Sequence, residues 1–106
     1  MKYTIIVNNQ TTVRPGELYN HQVTARLANI SVRDLLRYWR YRIVAPASNT
    51  GRYGIFFDDE AVYRLRQADY LRREHGVNMI GIQMILSLNK RVEELDAEMR
   101  SLKRHL

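Results

Sequence analysis

The chain has 106 residues, 45% of them hydrophobic, with no cysteine and a net charge of +6 at neutral pH. That length supports one small domain, the missing cysteines exclude disulfides and thiolate metal sites, and no run of about 18 apolar residues is present to span a membrane. Met1-Lys2-Tyr3-Thr4 lacks the apolar stretch of a signal peptide, so a cytoplasmic location is expected.

Taken in order, residues 3–7 and 11–13 are rich in β-branched side chains and flank Asn8-Asn9-Gln10. This is the pattern of a small hairpin or an extended arm over residues 1–18. Arg14-Pro15-Gly16 then breaks the chain before a first helix that begins near Asn20. Ala25, Leu27 and Ala28 give that helix a small apolar face suited to close packing. Asn29 tolerates the left-handed backbone that a tight turn requires. Ser31 follows as an N-cap, with Asp34 three residues on in a capping-box pattern. The second helix is expected to turn Val32, Leu35, Leu36 and Trp39 inward and Arg33, Arg37 and Arg40 outward. A short capped helix with a guanidinium-rich outer face suits a DNA major groove.

Ile43-Val44-Ala45-Pro46 leaves the helical pattern, and Pro46 prevents its return. Two short apolar arms around the turn-former cluster Ala47-Ser48-Asn49-Thr50-Gly51 then predict a β-hairpin, or wing, with Arg52 and Tyr53 near its tip. Asp58-Asp59-Glu60 opens a third helix, where acids suit the positive end of the helix dipole. Its inward stripe is Ala61, Val62, Leu65, Ala68 and Leu71, and Gly76 after His75 is the expected C-cap. The last helix, from about Asn78 to His105, would be roughly 42 Å long at 1.5 Å per residue. Ile85, Leu88, Val92, Leu95, Met99, Leu102 and Leu106 are spaced 3, 4, 3, 4, 3 and 4 residues apart, a heptad seam. Its second half outruns so small a domain, which points to homodimerisation.

The excess charge is placed unevenly. Residues 19–54 carry six arginines (26, 33, 37, 40, 42 and 52) against Asp34 alone, whereas in 55–106 nine basic residues balance nine acidic ones. Concentrated arginine predicts a polyanionic partner. The three histidines (21, 75 and 105) have no ligand spacing, and no nucleophile–base pair or glycine-rich phosphate loop appears. Neither a metal, nor a cofactor, nor an enzymatic activity is expected.

The run Ala25 to Pro46 closely resembles the first helix-turn-helix of MerR-type regulators, A-x-L-A-G-V-S-x-x-T-L-R-x-Y-E-x-x-G-L-L-x-P. Ala25, Leu27, Ala28, Ser31, Leu35, Tyr38 and Pro46 match, and Ile30, Ile43 and Val44 are apolar equivalents. Within the superfamily, His75-Gly76-Val77-Asn78-Met79-Ile80-Gly81-Ile82 with Ile85-Leu86 resembles the G-V-N-L-A-G-V segment of the HspR heat-shock repressors. Phe57-Asp58-Asp59 resembles instead CbpM, which binds the J-domain of a DnaJ-like co-chaperone, CbpA. The departures are Asp34-Leu35-Leu36 for T-L-R, Arg42 for the usual glycine, and Phe56-Phe57 for the wing's Arg-Tyr.

The resemblance implies a mainly α fold: a MerR-like winged helix-turn-helix over residues 19–76, with a small β wing, and a C-terminal dimerisation (coiled-coil) helix over 77–106. It implies a homodimeric transcription regulator that binds double-stranded DNA, of the HspR type, repressing heat-shock or chaperone genes. Ser31, Arg33, Arg37, Tyr38, Arg40, Arg52 and Tyr53 would contact DNA, and Leu88, Val92, Leu95, Met99 and Leu102 would form the dimer seam. The alternative is a CbpM-type chaperone modulator, with Asp58 and Asp59 as contacts to the J-domain of a DnaJ/CbpA-like co-chaperone.

Overall fold

The computed structural model describes residues 6–7, 11–12, 16–50 and 54–106. In chain order the elements are β1 (Ile6–Val7), β2 (Thr11–Thr12), β3 (Tyr19–Asn20), α1 (His21–Ala28), α2 (Val32–Arg40), β4 (Ser48–Thr50), β5 (Gly54–Phe57), α3 (Asp59–His75) and α4 (Met79–Arg104). The expected mainly helical architecture with a small wing and a long last helix is present. No helix among the described residues is long and apolar enough to cross a membrane.

The helix boundaries follow from local chemistry. The Val23 N–H donates to the Asn20 side-chain oxygen at 2.8 Å, and the Thr24 hydroxyl, fully buried, donates to the Asn20 carbonyl at 2.7 Å. Asn29 ends α1 at φ 59°, and the next amide, Ile30, donates to the Ala25 carbonyl at 3.0 Å. Ser31 then starts α2 by accepting the Asp34 N–H at 3.0 Å. Asp58 caps α3 by accepting the Ala61 N–H at 2.9 Å, Gly76 closes it at φ 63°, and Asn78 caps α4 by accepting the Gly81 N–H at 2.8 Å. The side chains of Asn20, Ser31, Asp58 and Asn78 each replace a carbonyl that the first helical amides lack.

Two short elements depart from the sequence expectation. Tyr19–Asn20, just ahead of the first helix and assigned no element from the sequence, is a strand that pairs antiparallel with β5 (Tyr19↔Phe57, Asn20↔Phe56). The first arm of the wing is not the apolar Ile43–Pro46 run. It is Ser48–Thr50, paired Ser48↔Phe56, Asn49↔Ile55 and Thr50↔Gly54. Ile43 and Val44 are drawn into the core, so the wing borrows the polar residues that follow them. The resulting sheet has the order β3-β5-β4, and β1 pairs antiparallel with β2 in a separate two-stranded sheet.

The core lies where α1, α2, α3 and the start of α4 converge. Leu27, Leu35, Tyr38, Ile43, Phe57, Val62, Leu65, Ile82 and Leu86 are essentially fully buried in it. Trp39 meets Phe57 edge-to-face at 5.9 Å between ring centroids, which ties α2 to the central strand of the wing.

Arg42 occupies the left-handed region at φ 59°, the place where the family motif has glycine. Glycine adopts this conformation without the Cβ clash that a longer residue suffers. Arg42→Gly is therefore expected to raise stability by up to about 1 kcal/mol, and Gly76→Ala to lower it by about 1 kcal/mol, in urea unfolding. A destabilised Arg42→Gly protein would show that the arginine side chain compensates its own backbone strain.

Candidate nucleic-acid interface

The candidate interface is the outer face of α2, and its position is set from behind by α3 and α4. Leu35 and Tyr38 point into the core and are fully buried. The Tyr38 hydroxyl donates to Asp69 Oδ1 at 3.1 Å and accepts from Arg72 Nε at 2.9 Å. Arg72 also donates to Asp69 Oδ1 at 3.1 Å and to Asp34 Oδ2, back on α2, at 3.0 Å. Arg73 completes the cluster with Asp69 Oδ2 at 2.8 Å. At the far end of α2, Arg64 Nε donates to the Ile43 carbonyl at 2.8 Å, and Gln83 of α4 donates to the Tyr41 carbonyl at 2.9 Å. The helix is thus gripped near its start, in its middle and beyond its end.

This network also sorts the charges. Asp34, the lone acid of the basic stretch, is turned to Arg72 and is only loosely approached by Arg37, at 3.8 Å. Burial alone would weaken the charge on Arg72, but the hydrogen bonds it donates to Asp69 and Tyr38 more than offset it and hold its pKa above the usual value. Arg33, Arg37 and Arg40 are left exposed on the opposite side of the helix. The one carboxylate of α2 is held more closely by Arg72, at 3.0 Å, than by Arg37.

The expected DNA-contact residues fall into three groups. Ser31, Arg33, Arg37 and Arg40 lie together at the exposed start and outer face of α2. Tyr38 does not join them. It is fully buried with its hydroxyl engaged on both sides, so it positions the helix and has no surface to offer a nucleic acid. Arg52 and Tyr53 lie outside the described residues. A second correction concerns Leu36, expected inside but 47% exposed beside the arginines. Tyr38 takes the inward position because its ring fills the core while its hydroxyl reaches α3. Asp58, a candidate J-domain contact, is occupied in capping α3, and Asp59 is half-buried in the first turn.

The arrangement of an Asn29 turn, a capped arginine-faced helix, a three-stranded wing, and helices α3 and α4 matches the order in which a known family is built. A model of the MerR HTH family of regulatory proteins matches residues 18–104. The chain belongs to the MerR family. It is also 32% identical over 80 residues to a Streptomyces coelicolor protein named "Putative heat shock protein HspR". The match covers 76% of this chain and 52% of that protein, so the chain spans about half the length of the curated relative. No solved structure matches.

In this MerR-family chain the first two turns of the last helix pack on the domain and the rest is exposed. Every residue from Ser87 to Leu106 except Ser101 is exposed. Leu88, Val92, Leu95, Met99 and Leu102, the expected seam, are between 42% and 68% exposed. The N-terminal end of the seam differs from expectation. Ile85 is partly buried and lines a groove against α3 with Tyr63, Tyr70 and Leu71, whereas Ile80 and Met84 are exposed. The cause is that Ile82 and Leu86 pack on the domain and fix the rotation of the helix. The exposed stripe therefore runs Ile80, Met84, Leu88, Val92 and onward, over nearly the whole helix.

Sequence reading alone missed Arg64, Asp69, Arg72 and Gln83, which hold α2 in place. Their charge and polarity look like an ordinary solvated helix face, and their partners lie 21 to 42 residues away. The one local signal was Tyr38 at the core spacing of Leu35, a buried hydroxyl that demands a partner.

Burial, only partly offset by Arg72, pushes the Tyr38 phenol up to about 12 from its ordinary value of 10. The folded chain thus holds this proton more tightly than the unfolded one. Its stabilising contribution is complete below pH 10 and disappears as pH rises through about 12. Chemical unfolding across pH 9 to 12 is expected to show stability falling by at most about 1.4 kcal/mol per pH unit from this group. Tyr38→Phe should cost about 1–2 kcal/mol at neutral pH and flatten that alkaline decline. An identical decline in the phenylalanine variant would place its origin in another group.

Proposed function

We propose that this chain is a dimeric, DNA-binding transcription regulator of the HspR type, acting in the cytoplasm to repress heat-shock or chaperone genes. The observation that carries the reading is the outer face of α2. Arg33, Arg37 and Arg40 are exposed there, and the helix is clamped from behind by groups that consume the nearby acid. Guanidinium groups suit guanine edges and phosphates, and a rigid mount spares the ordering cost of placing them in a groove. In this reading Ser31 and Arg40 meet the backbone, with Arg52 and Tyr53 of the wing reaching an adjacent stretch of it. Arg33 and Arg37 lie at the base edges. The likeness to a relative named as a heat-shock protein supports the choice of target genes.

The apolar stripe of α4 supports the dimer. Exposed large hydrophobics in a continuous line are costly unless covered, and α4, at 26 residues, is about 39 Å long. Two such helices in contact span a distance comparable to one turn of B-DNA, roughly 34 Å, which is the separation of adjacent half-sites. Residues 77–106 are the dimerisation segment of this reading, and residues 19–76 the DNA-binding domain.

Fluorescence anisotropy of the purified protein on its own promoter fragment and on random duplex, at about 50 and 200 mM salt, tests the reading. Promoter-preferring binding that falls by orders of magnitude at the higher salt is expected, because several phosphate contacts are at stake. Arg33→Glu should abolish that binding without altering the circular dichroism spectrum; normal binding by this variant would overturn the assignment. No binding at the lower salt would favour the J-domain of a DnaJ/CbpA-like co-chaperone as partner. In sedimentation equilibrium Leu95→Asp should yield monomers, and an unchanged mass would remove the seam from the interface.

A further inference from the structure

Leu36 is the apolar residue of α2 that the core does not take up. Leu35 and Tyr38 are fully buried, Val32 and Trp39 pack against the core, and Leu36 is left 47% exposed. At 100° per residue, Arg33, Leu36, Arg37 and Arg40 fall within an arc of about 100°, so the leucine shares the surface of the three arginines. A single exposed leucine is ordinary on a protein surface. This one stands on the face that the DNA-binding reading presents to a major groove, and its chemistry limits what it can meet there.

A leucine side chain has no hydrogen-bonding group, so it offers nothing to a phosphate oxygen or to the acceptors of guanine. Pressed against either, it would strip water from a polar atom and return no bond. The major groove displays one apolar group, the C5 methyl of thymine. We propose that Leu36 is a specificity-determining residue that reads a thymine methyl in each half-site, between the polar contacts of Arg33, Arg37 and Arg40. The inference rests on the DNA-binding reading above and adds to it the identity of a base. A cytosine at that position has only hydrogen at C5, and the leucine would lose its contact.

The test starts from operators selected out of a random duplex library by the full-length protein. Each thymine of the selected operator is then replaced singly by deoxyuridine, which keeps every hydrogen-bonding atom and lacks only the C5 methyl. The wild-type protein is expected to lose about 3- to 10-fold in affinity at one position per half-site. Leu36→Ala should bind thymine and deoxyuridine equally there, keep the salt dependence of the wild type, and keep its melting curve because the residue is outside the core. Leu36→Met, which restores an apolar tip, should recover part of the thymine preference. A flat deoxyuridine scan with an otherwise selective protein would overturn the role of Leu36 alone, as would a Leu36→Ala protein that still discriminates at the same position. Failure of the selection to enrich any sequence would overturn the DNA-binding reading itself, and the base assignment with it.

Discussion

The buried hydroxyl of Tyr38 is the constraint on which the rest of this structure depends. A phenol taken fully out of water needs partners, and the partners here are Asp69 and Arg72 of α3. Once Arg72 is in place its remaining donors reach Asp34, so that one residue on α3 holds two successive turns of α2. The cost of removing polar groups from water is offset only when all of them are bonded. Among the described residues no buried side-chain nitrogen or oxygen lacks a partner. The geometry of α2 is therefore specified more sharply than an apolar contact of the same area would specify it.

This clamp has an electrostatic consequence as well as a mechanical one. It withdraws the single acid of the basic stretch from the outer surface and pairs it with an arginine of the neutral half. Residues 19–54, with six arginines against Asp34, hold five of the six net positive charges, and most of those arginines are on and around α2. Arg64 and Gln83 extend the same logic past the end of the helix, where they satisfy the carbonyls of Ile43 and Tyr41. Two cations of α3, Arg64 and Arg72, are thus spent on hydrogen bonds to α2 and the segment after it. A count of positive residues would treat them as equal to Arg33 and Arg37; their hydrogen bonds separate the two groups.

The last helix illustrates a different balance. Its first half is rotated by Ile82 and Leu86, which are fixed in the domain, and its largely exposed second half follows that rotation. The heptad spacing written in the chain describes residues from Leu88 onward well. It fails at Ile85, because three residues nearer the domain the packing of α3 takes precedence over the seam. Ile80 and Met84 consequently join the exposed stripe. The line of apolar side chains available to a partner is longer than the heptad alone indicates, and it begins close to the loop after α2.

What the amino-acid sequence determined by itself is what is local. Asn29, Ser31, Asp58 and Gly76 act at helix ends through atoms within a few residues, and each stands where its chemistry placed it. The order of elements, the turn between α1 and α2, and the clustering of arginine are legible for the same reason. Tertiary structure alone decided which of Leu36 and Tyr38 went inside, because periodicity ranks residues by apolarity and cannot see that Asp69 and Arg72 wait opposite position 38. It also decided that Tyr19–Asn20 and Ser48–Thr50 are strands, since two- and three-residue strands exist only through the β5 backbone between them. Hydrogen bonds across 30 or more residues, and the rotation imposed on α4 by its buried half, belong to the folded chain and have no signature in any short window of the sequence.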